Sequence, residues 1–350
     1  EAGAAERMAE SDHKPGDARA RGETIARILA SDAQPAPAPL TAEAYRFLGD
    51  TDLPASRYTC QAFLQQELSK MWSRCWQWAC REEHLPEVGD HYVYDIGPYS
   101  VIVTRVANDE IKAFINSCTH RGTRLLGDEG VGHGQGFSCP FHGWSWHLNG
   151  VLKEVPGHWD FPHVCEASHS LQPVACDSWQ GFVFINLDPD ASPLHEQLDV
   201  LPDHFAHFPL DQRRIRLHVQ KVLPANWKAA QEAFMEAYHN FTTHDSPTGG
   251  NAQYDIFGPH ASRFIHTIGH YSPESLADYP GDKWRAPPLT EQELLAGIPV
   301  TQRALAEGET ARAAGAQLLR EEMGSQLGVD FSAVSDSEML DSIEYHRFPN

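Results

Sequence analysis

Between Ser56 and Trp78, the apolar residues Phe63, Leu64, Leu68, Met71 and Trp72, with Cys75, recur at helical spacing and predict one amphipathic helix. Past Gly89 the period shortens. YVYDIG, SVIVTRV and IKAFINSC, and later GFVFINL, read as short strands with Gly, Pro, Asn and Asp at the breaks, so a small, mostly antiparallel β domain is predicted. RIRLHVQ alternates as a half-buried strand, NWKAAQEAFMEAYHNF has a helical period, and TQRALAEGETARAAGAQLLREEMG predicts another helix. Strand, helix, long loop, helix and a final strand start give an α+β second domain. Residues 1 to about 45 are rich in Ala, Pro, Asp and Glu without sustained periodicity and predict a flexible extension. No internal repeat is visible, and residues 245 to 300 yield no element. The expected boundaries are an extension over 1–45, a helical arm over 46–80, the β domain over 81–186 and the second domain over 187–350.

The 350 residues suffice for two or three domains with substantial cores. The formal net charge of -21 argues against nucleic acid, whose phosphates are bound by releasing counterions to Lys and Arg. No run approaches the roughly 18 apolar residues of a membrane span, and the first residues lack the apolar stretch of a secretory signal. No membrane association is expected, and the cytoplasm is the default location. Seven cysteines, an odd number, fit reduced thiols and metal ligands better than a disulfide framework, and twenty histidines add to that expectation. The chain begins with Glu and stops at EYHRFPN, in what reads as the middle of a domain, so a longer natural chain is expected.

Chemistry concentrates in CTHRGTRLLGDEGVGHGQGFSCPFHGWSW. Cys118-Thr119-His120 and Cys139-Pro140-Phe141-His142 are a Cys-x-His and a Cys-x-x-His separated by residues 121 to 138. Zinc sites ordinarily pair Cys with Cys and His with His, whereas these arms mix the types. A [2Fe-2S] cluster with two His on one iron has a use for mixed arms, because each loop can send its Cys to one iron and its His to the other. The glycines allow tight turns that bring amides near the sulfurs, and Pro140, Phe141, Trp144 and Trp146 can limit water access. His133 reads as a solvated loop residue, and Arg121, Arg124 and Lys153 as solvated charge or a donor-docking patch. GVGHGQG opens no dinucleotide-binding helix, and no flavin, NAD or plant-type ferredoxin pattern is present.

A second constellation follows in NWKAAQEAFMEAYHNFTTH. Trp227, Ala230, Phe234, Ala237, Tyr238 and Phe241 form an apolar stripe, with Glu232, Glu236 and His239 on the opposite face. Taken alone this is a surface helix with a solvated polar face. His244 lies beyond the expected helix end near Asn240, which would let it converge with His239 on one ion. Two His and a distant carboxylate make the facial triad of non-haem Fe(II) oxygenases.

The first stretch resembles the cluster motif of Rieske proteins, and the second resembles the mononuclear iron motif of Rieske non-haem iron oxygenase large (alpha) subunits of the aromatic-ring-hydroxylating family. The resemblance implies a helix-grip catalytic domain, an antiparallel sheet packed by helices, after the Rieske domain. It implies that Cys118 and Cys139 ligate one iron of the cluster and His120 and His142 the other. By the same resemblance His239 and His244 hold the mononuclear iron, Glu236 bridges electron transfer between subunits, and the third, carboxylate ligand lies beyond this chain. The implied partners are a ferredoxin or flavin reductase donor, O2 and a small organic substrate, in a homotrimer with or without beta subunits. Hydroxylation or dihydroxylation of an aromatic substrate is the leading expectation. Glu stands where many ring-hydroxylating members carry Asp, and members that oxidise quaternary amines can carry Glu in the same Glu-x-Tyr-His pattern, so a quaternary-ammonium or methyl-ether oxidising monooxygenase (demethylase) stays open, as does an electron carrier without a second metal.

Overall fold

In the computed structural model, which describes residues 23–49, 51–127, 130–239, 243, 251–271 and 289–349, strand alternation builds two cores on one sheet. Between Gln77 and Asn186 run β1 (Gln77–Arg81), β2 (Asp90–Ile96), β3 (Tyr99–Ala107), β4 (Glu110–Ile115), β5 (Gly130–His133), β6 (Phe137–Ser138), β7 (Ser145–Trp146), β8 (Leu152–Glu154), β9 (Pro173–Trp179) and β10 (Phe182–Asn186). They form a seven-stranded sheet in the order β1-β10-β9-β4-β3-β2-β5 and a three-stranded sheet β6-β7-β8. The pairings are antiparallel, as the period-2 pattern predicts.

Central β3 shows why the pattern matters. Val101, Ile102 and Val103 are all fully buried, but successive side chains leave opposite faces. Val101 and Val103 join Leu85, Val183 and Ile185 in one core, while Ile102 joins Phe114, Phe137, Trp144 and Trp146 in another, which also contains Cys118 and Cys139. The mixed Cys/His loops therefore sit on a packed floor.

The single helix expected over 56–78 is instead broken. Ser56–Thr59 and Gln61–Glu67 are helical, Leu68–Trp72 widens into a π turn, and β1 then takes Trp78 into the sheet opposite Phe184. Tertiary pairing overrides the helical period at that end. RIRLHVQ forms no strand among the described residues; Leu217 and Val219 are 79% and 74% exposed. Alternation makes a strand only where a neighbour supplies the ladder.

The described residues divide into two compact units: Thr59–Leu223 with the residues after His346, and the residues up to Tyr58 with Pro224–His346. These cut the chain differently from the boundaries expected at 45, 80 and 186. In the second unit β11 (Ala252–Ile256), β12 (Ala261–His266) and β13 (Ser342–Arg347) form a sheet in that order, within which β11 and β12 lie in the stretch that yielded no element. The helix expected from Thr301 starts only at Ala311, because Gly308 takes a positive φ and Thr310 caps the N-terminus by accepting from the Ala313 amide.

Part of the expected flexible extension is structured. Helix Ile25–Ala30 buries Ile25, Ile28 and Leu29, and Leu40 of Ala38–Thr41 joins Ile25, Leu29 and Ile265 in one core. Polar groups tie this segment down where composition alone shows no periodicity. Arg312 is 2.5 Å from Asp32 and 2.6 Å from Asp341, both with fully buried carboxylates. Asp336 accepts the Ala33 and Gln34 amides while pairing with Arg320 at 2.6 Å. The fully buried pair Asp255–Arg263, at 2.8 Å, reaches the Ala44 amide and the Pro39 and Ala42 carbonyls.

Candidate functional site

The two mixed pairs are built on one backbone pattern. Cys118 donates its N–H to the Thr123 carbonyl at 2.8 Å, and Gly122 donates back to the Cys118 carbonyl at 2.8 Å. In the second loop Cys139 donates to Trp144 at 2.7 Å and Gly143 donates to Cys139 at 3.0 Å. Gly122 and Gly143 share the same left-handed φ of 76°, which side chains resist, so glycine four residues after each Cys is a requirement of the turn. Unequal Cys-to-His spacings thus hide equal turns.

Asn116 anchors the first loop. Its side chain donates to the Leu126 carbonyl at 2.8 Å and accepts from the Leu125 and Leu126 amides. The two thiols hydrogen-bond to each other, and each sulfur also receives backbone N–H groups, from His120 and Arg121 at Cys118 and from His142 and Phe141 at Cys139. Burial pushes the Cys118 thiol above its ordinary range despite those donors. At Cys139 burial again pushes upward, but the His142 and Phe141 amides outweigh it and hold the thiol below that range.

His120 and His142 lie with ring centroids 4.8 Å apart. His120 stacks on Trp144 at 4.9 Å and 7°, with the Phe161 edge 6.1 Å away. Its Nδ1 is buried without a hydrogen-bond partner among the described residues, and burial, then His142 and Arg121, depress its basicity. A neutral imidazole with a buried, unpaired nitrogen beside two donor-rich sulfurs is the donor set a [2Fe-2S] cluster with mixed ligation needs. No three His, Cys, Asp or Glu among the described residues group as ligands of a single ion; a cluster asks for two protein ligands on each iron, with sulfide completing the shell.

Trp144 and Trp146 are buried as expected, whereas Phe141 is 60% exposed, with the His142 ring 4.0 Å and the Arg121 guanidinium 6.0 Å from its ring centre. Two further contributors escape sequence reading, since 158–169 carries no periodic signal. Phe161 walls His120, and the His169 carbonyl accepts from Thr119 Oγ1 and Trp146 Nε1, both at 2.9 Å, joining the two loops. His133 is no part of the group and pairs with Asp90 at 2.7 Å. Arg124 is engaged by Asp95 at 2.8 Å, while Arg121 and Lys153 are exposed. The groove lined by Arg81, Trp179, Asp211 and Arg214 contains none of these residues.

The remaining thiols differ in reactivity. Burial pushes Cys80 far up, while at exposed Cys165 hydrogen bonds from Ser168, whose Oγ is 3.2 Å away, hold the thiol below its ordinary range. A thiol reagent at about pH 8 should therefore modify Cys165 rapidly and Cys80 only on denaturation; mass mapping checks the order.

In the second constellation helix Trp227–Glu232, capped by Asn226, ends earlier than the pattern predicts and turns follow. Glu236 and His239 therefore do not share a continuous helical face with Glu232, and Phe234 and Tyr238 of the expected apolar stripe are exposed. The pair nonetheless meets: Glu236 Oε1 is 2.6 Å from His239 Nδ1, and Oε2 accepts the His239 amide at 3.0 Å. Burial raises the Glu236 carboxyl, but these His239 bonds outweigh it and hold it below its ordinary range. A carboxylate on Nδ1 fixes the ring so that Nε2 is the nitrogen that would take a metal. His244 lies outside the described residues.

Residues 75–164 match the Rieske [2Fe-2S] domain, and residues 204–302 the ring hydroxylating alpha subunit (catalytic domain). The chain is 33% identical over 193 residues to the biphenyl 2,3-dioxygenase subunit alpha of Rhodococcus jostii (strain RHA1), covering 53% of this chain and 42% of that protein. It is 29% identical over 189 residues to the carnitine monooxygenase oxygenase subunit of Escherichia coli (strain K12), covering 53% and 50%. The chain spans about half the length of the curated relatives it matches. Among solved structures, a naphthalene 1,2-dioxygenase aligns with a TM-score of 0.56 at 23% identity over 83% of this chain and 63% of that one. A quaternary ammonium Rieske monooxygenase aligns with a TM-score of 0.56 at 22% identity over 61% of each. Both likenesses speak for the fold. With a Rieske domain followed in order by a ring-hydroxylating catalytic domain, this chain belongs to the Rieske oxygenase alpha subunits.

Proposed function

We propose that this chain is part of a terminal oxygenase, which takes electrons from a separate ferredoxin or reductase and oxidises a small organic substrate with O2. The observation that carries the reading is His120. Its ring is held against Trp144 with a buried, unpaired nitrogen beside His142 and two hydrogen-bonded thiols, an arrangement whose cost is relieved by metal. Cys118 and Cys139 would ligate one iron, and His120 and His142 the other. Backbone N–H groups at the sulfurs stabilise negative charge there, and the Trp144–Trp146 core excludes water.

His239, with His244, would hold the mononuclear iron. When bound, the cluster supplies one-electron transfer and the mononuclear iron supplies O2 activation. Glu236 fixes the His239 ring and carries negative charge at the position expected of the bridge between subunits, which presumes assembly into a ring such as a homotrimer. The cytoplasm fits a protein in which no described helix is long and apolar enough to cross a membrane.

An aromatic substrate is favoured by the ring-hydroxylating domain match, and a quaternary amine by the Glu236-Ala237-Tyr238-His239 order together with the carnitine monooxygenase relative. Substituting His239 with Ala should remove one iron per chain and abolish substrate oxidation while leaving sulfide and the visible spectrum unchanged. Two irons per chain in both wild type and variant, with no substrate oxidation by either, would leave only an electron carrier.

A further inference from the structure

The β11–β13 sheet has two unlike faces. Asp255 and Arg263, register partners, share one face with Ile265, Ile343 and Tyr345: Ile265 and Ile343 lie in one core with Leu40, and Tyr345 hydrogen-bonds Arg263. Alternation puts Tyr254, Ser262, Phe264, His266, Glu344 and His346 on the other. The Tyr254–Ser262 hydrogen bond at 2.7 Å agrees with that assignment.

This second face meets the segment carrying Glu236 and His239, because the His346 ring hydrogen-bonds the backbone of Phe234. Yet Nε2 of His346 and Nε2 of His266 are buried with no hydrogen-bond partner among the described residues. Glu344 stands 3.9 Å from His346 Nε2, beyond hydrogen-bond reach, and acts electrostatically on His266 as well. Burial depresses the basicity of both rings and keeps them neutral. Since the other ring nitrogen of His346 donates to the Phe234 carbonyl, Nε2 is an acceptor.

A plain hydrocarbon lodged here would leave both nitrogens unpaired, and a ligand donor would relieve that cost. We propose that the substrate carries an O–H or N–H donor received by His346 Nε2 beside Glu344, so that hydrocarbons and quaternary ammonium groups alone are poor ligands. The inference rests on the proposed iron position at His239, which places substrate against this face.

The matched probes 1-naphthol and 1-methylnaphthalene differ by a hydroxyl in place of a methyl, and titration calorimetry on the iron-loaded protein reads their affinities. Substituting His346 with Phe should weaken 1-naphthol about tenfold and leave 1-methylnaphthalene within about twofold, while His346→Gln, which keeps an acceptor, should retain most of the 1-naphthol affinity. His346→Leu serves the same comparison should His346→Phe not fold. Equal weakening of both probes, no weakening of 1-naphthol, or binding of neither by the wild type would overturn the proposal. Iron counted on the same samples judges the metal site separately: failure to bind mononuclear iron sinks the oxygenase reading, whereas a full iron complement with no preference sinks only this one.

Discussion

Substituting Cys139 with Ser will remove the [2Fe-2S] cluster: acid-labile sulfide falls to background, and the visible absorption and the EPR signal of the reduced protein disappear. Of the two thiols in the mixed loops, Cys139 is the one that the backbone N–H groups of His142 and Phe141 hold below its ordinary range, whereas burial pushes Cys118 up, so Cys139 is the better prepared to act as thiolate. A serine hydroxyl is a harder and shorter donor that neither ionises there nor reaches the iron as sulfur does. Because the Cys118 and Cys139 thiols hydrogen-bond to each other inside a shared core with Trp144 and Trp146, the remaining side chains cannot move to compensate. A spectrum that survives in Cys139→Ser would remove this residue from the ligand set.

The largest expected loss of stability follows from Arg312→Ala, at about 3–5 kcal/mol, read as a lower urea midpoint of unfolding. Arg312 is the partner of both Asp32 and Asp341, whose carboxylates are fully buried, and it also donates to the Ile268 carbonyl. Its removal leaves two like charges without compensation, and the N-terminal segment loses its tie to helix Ala311–Leu327. Replacing Asp32 and Asp341 with Asn in the same background should recover much of the loss. Burial already holds the Asp32 carboxyl above its ordinary range, against the pull of Arg312. Without that arginine the folded state binds its proton still more readily than the unfolded chain, so the penalty should shrink as pH falls and reach its full size above the raised pKa.

Much of the Rieske unit was legible because its signals are local. Period-2 alternation located β2, β3, β4 and β10, and the two Cys/His pairs announce mixed ligation without any tertiary knowledge. What the spacing conceals is that Cys118 to Gly122 and Cys139 to Gly143 are the same turn, with the histidine placed one residue later in the second. Phe161 and His169 were illegible because their roles come from tertiary packing and a backbone carbonyl, which side-chain patterns do not encode.

In the catalytic unit the non-local constraints dominate. Residues 23–45 look disordered by composition, yet Asp32 and the Ala33 and Gln34 amides find partners some 300 positions away, near 312 and 336. The helix over 227–240 was overextended because apolar spacing alone cannot tell a continuing helix from turns that leave Phe234 and Tyr238 exposed. The Glu236–His239 contact forms all the same, through neighbours three residues apart.

Iron and acid-labile sulfide, counted per chain after anaerobic purification, test the central claim most directly. Three irons and two sulfides are predicted, the cluster held by Cys118, Cys139, His120 and His142 and the third iron by His239 and His244. Zinc without sulfide would contradict the whole account, and two irons with two sulfides would contradict its second metal.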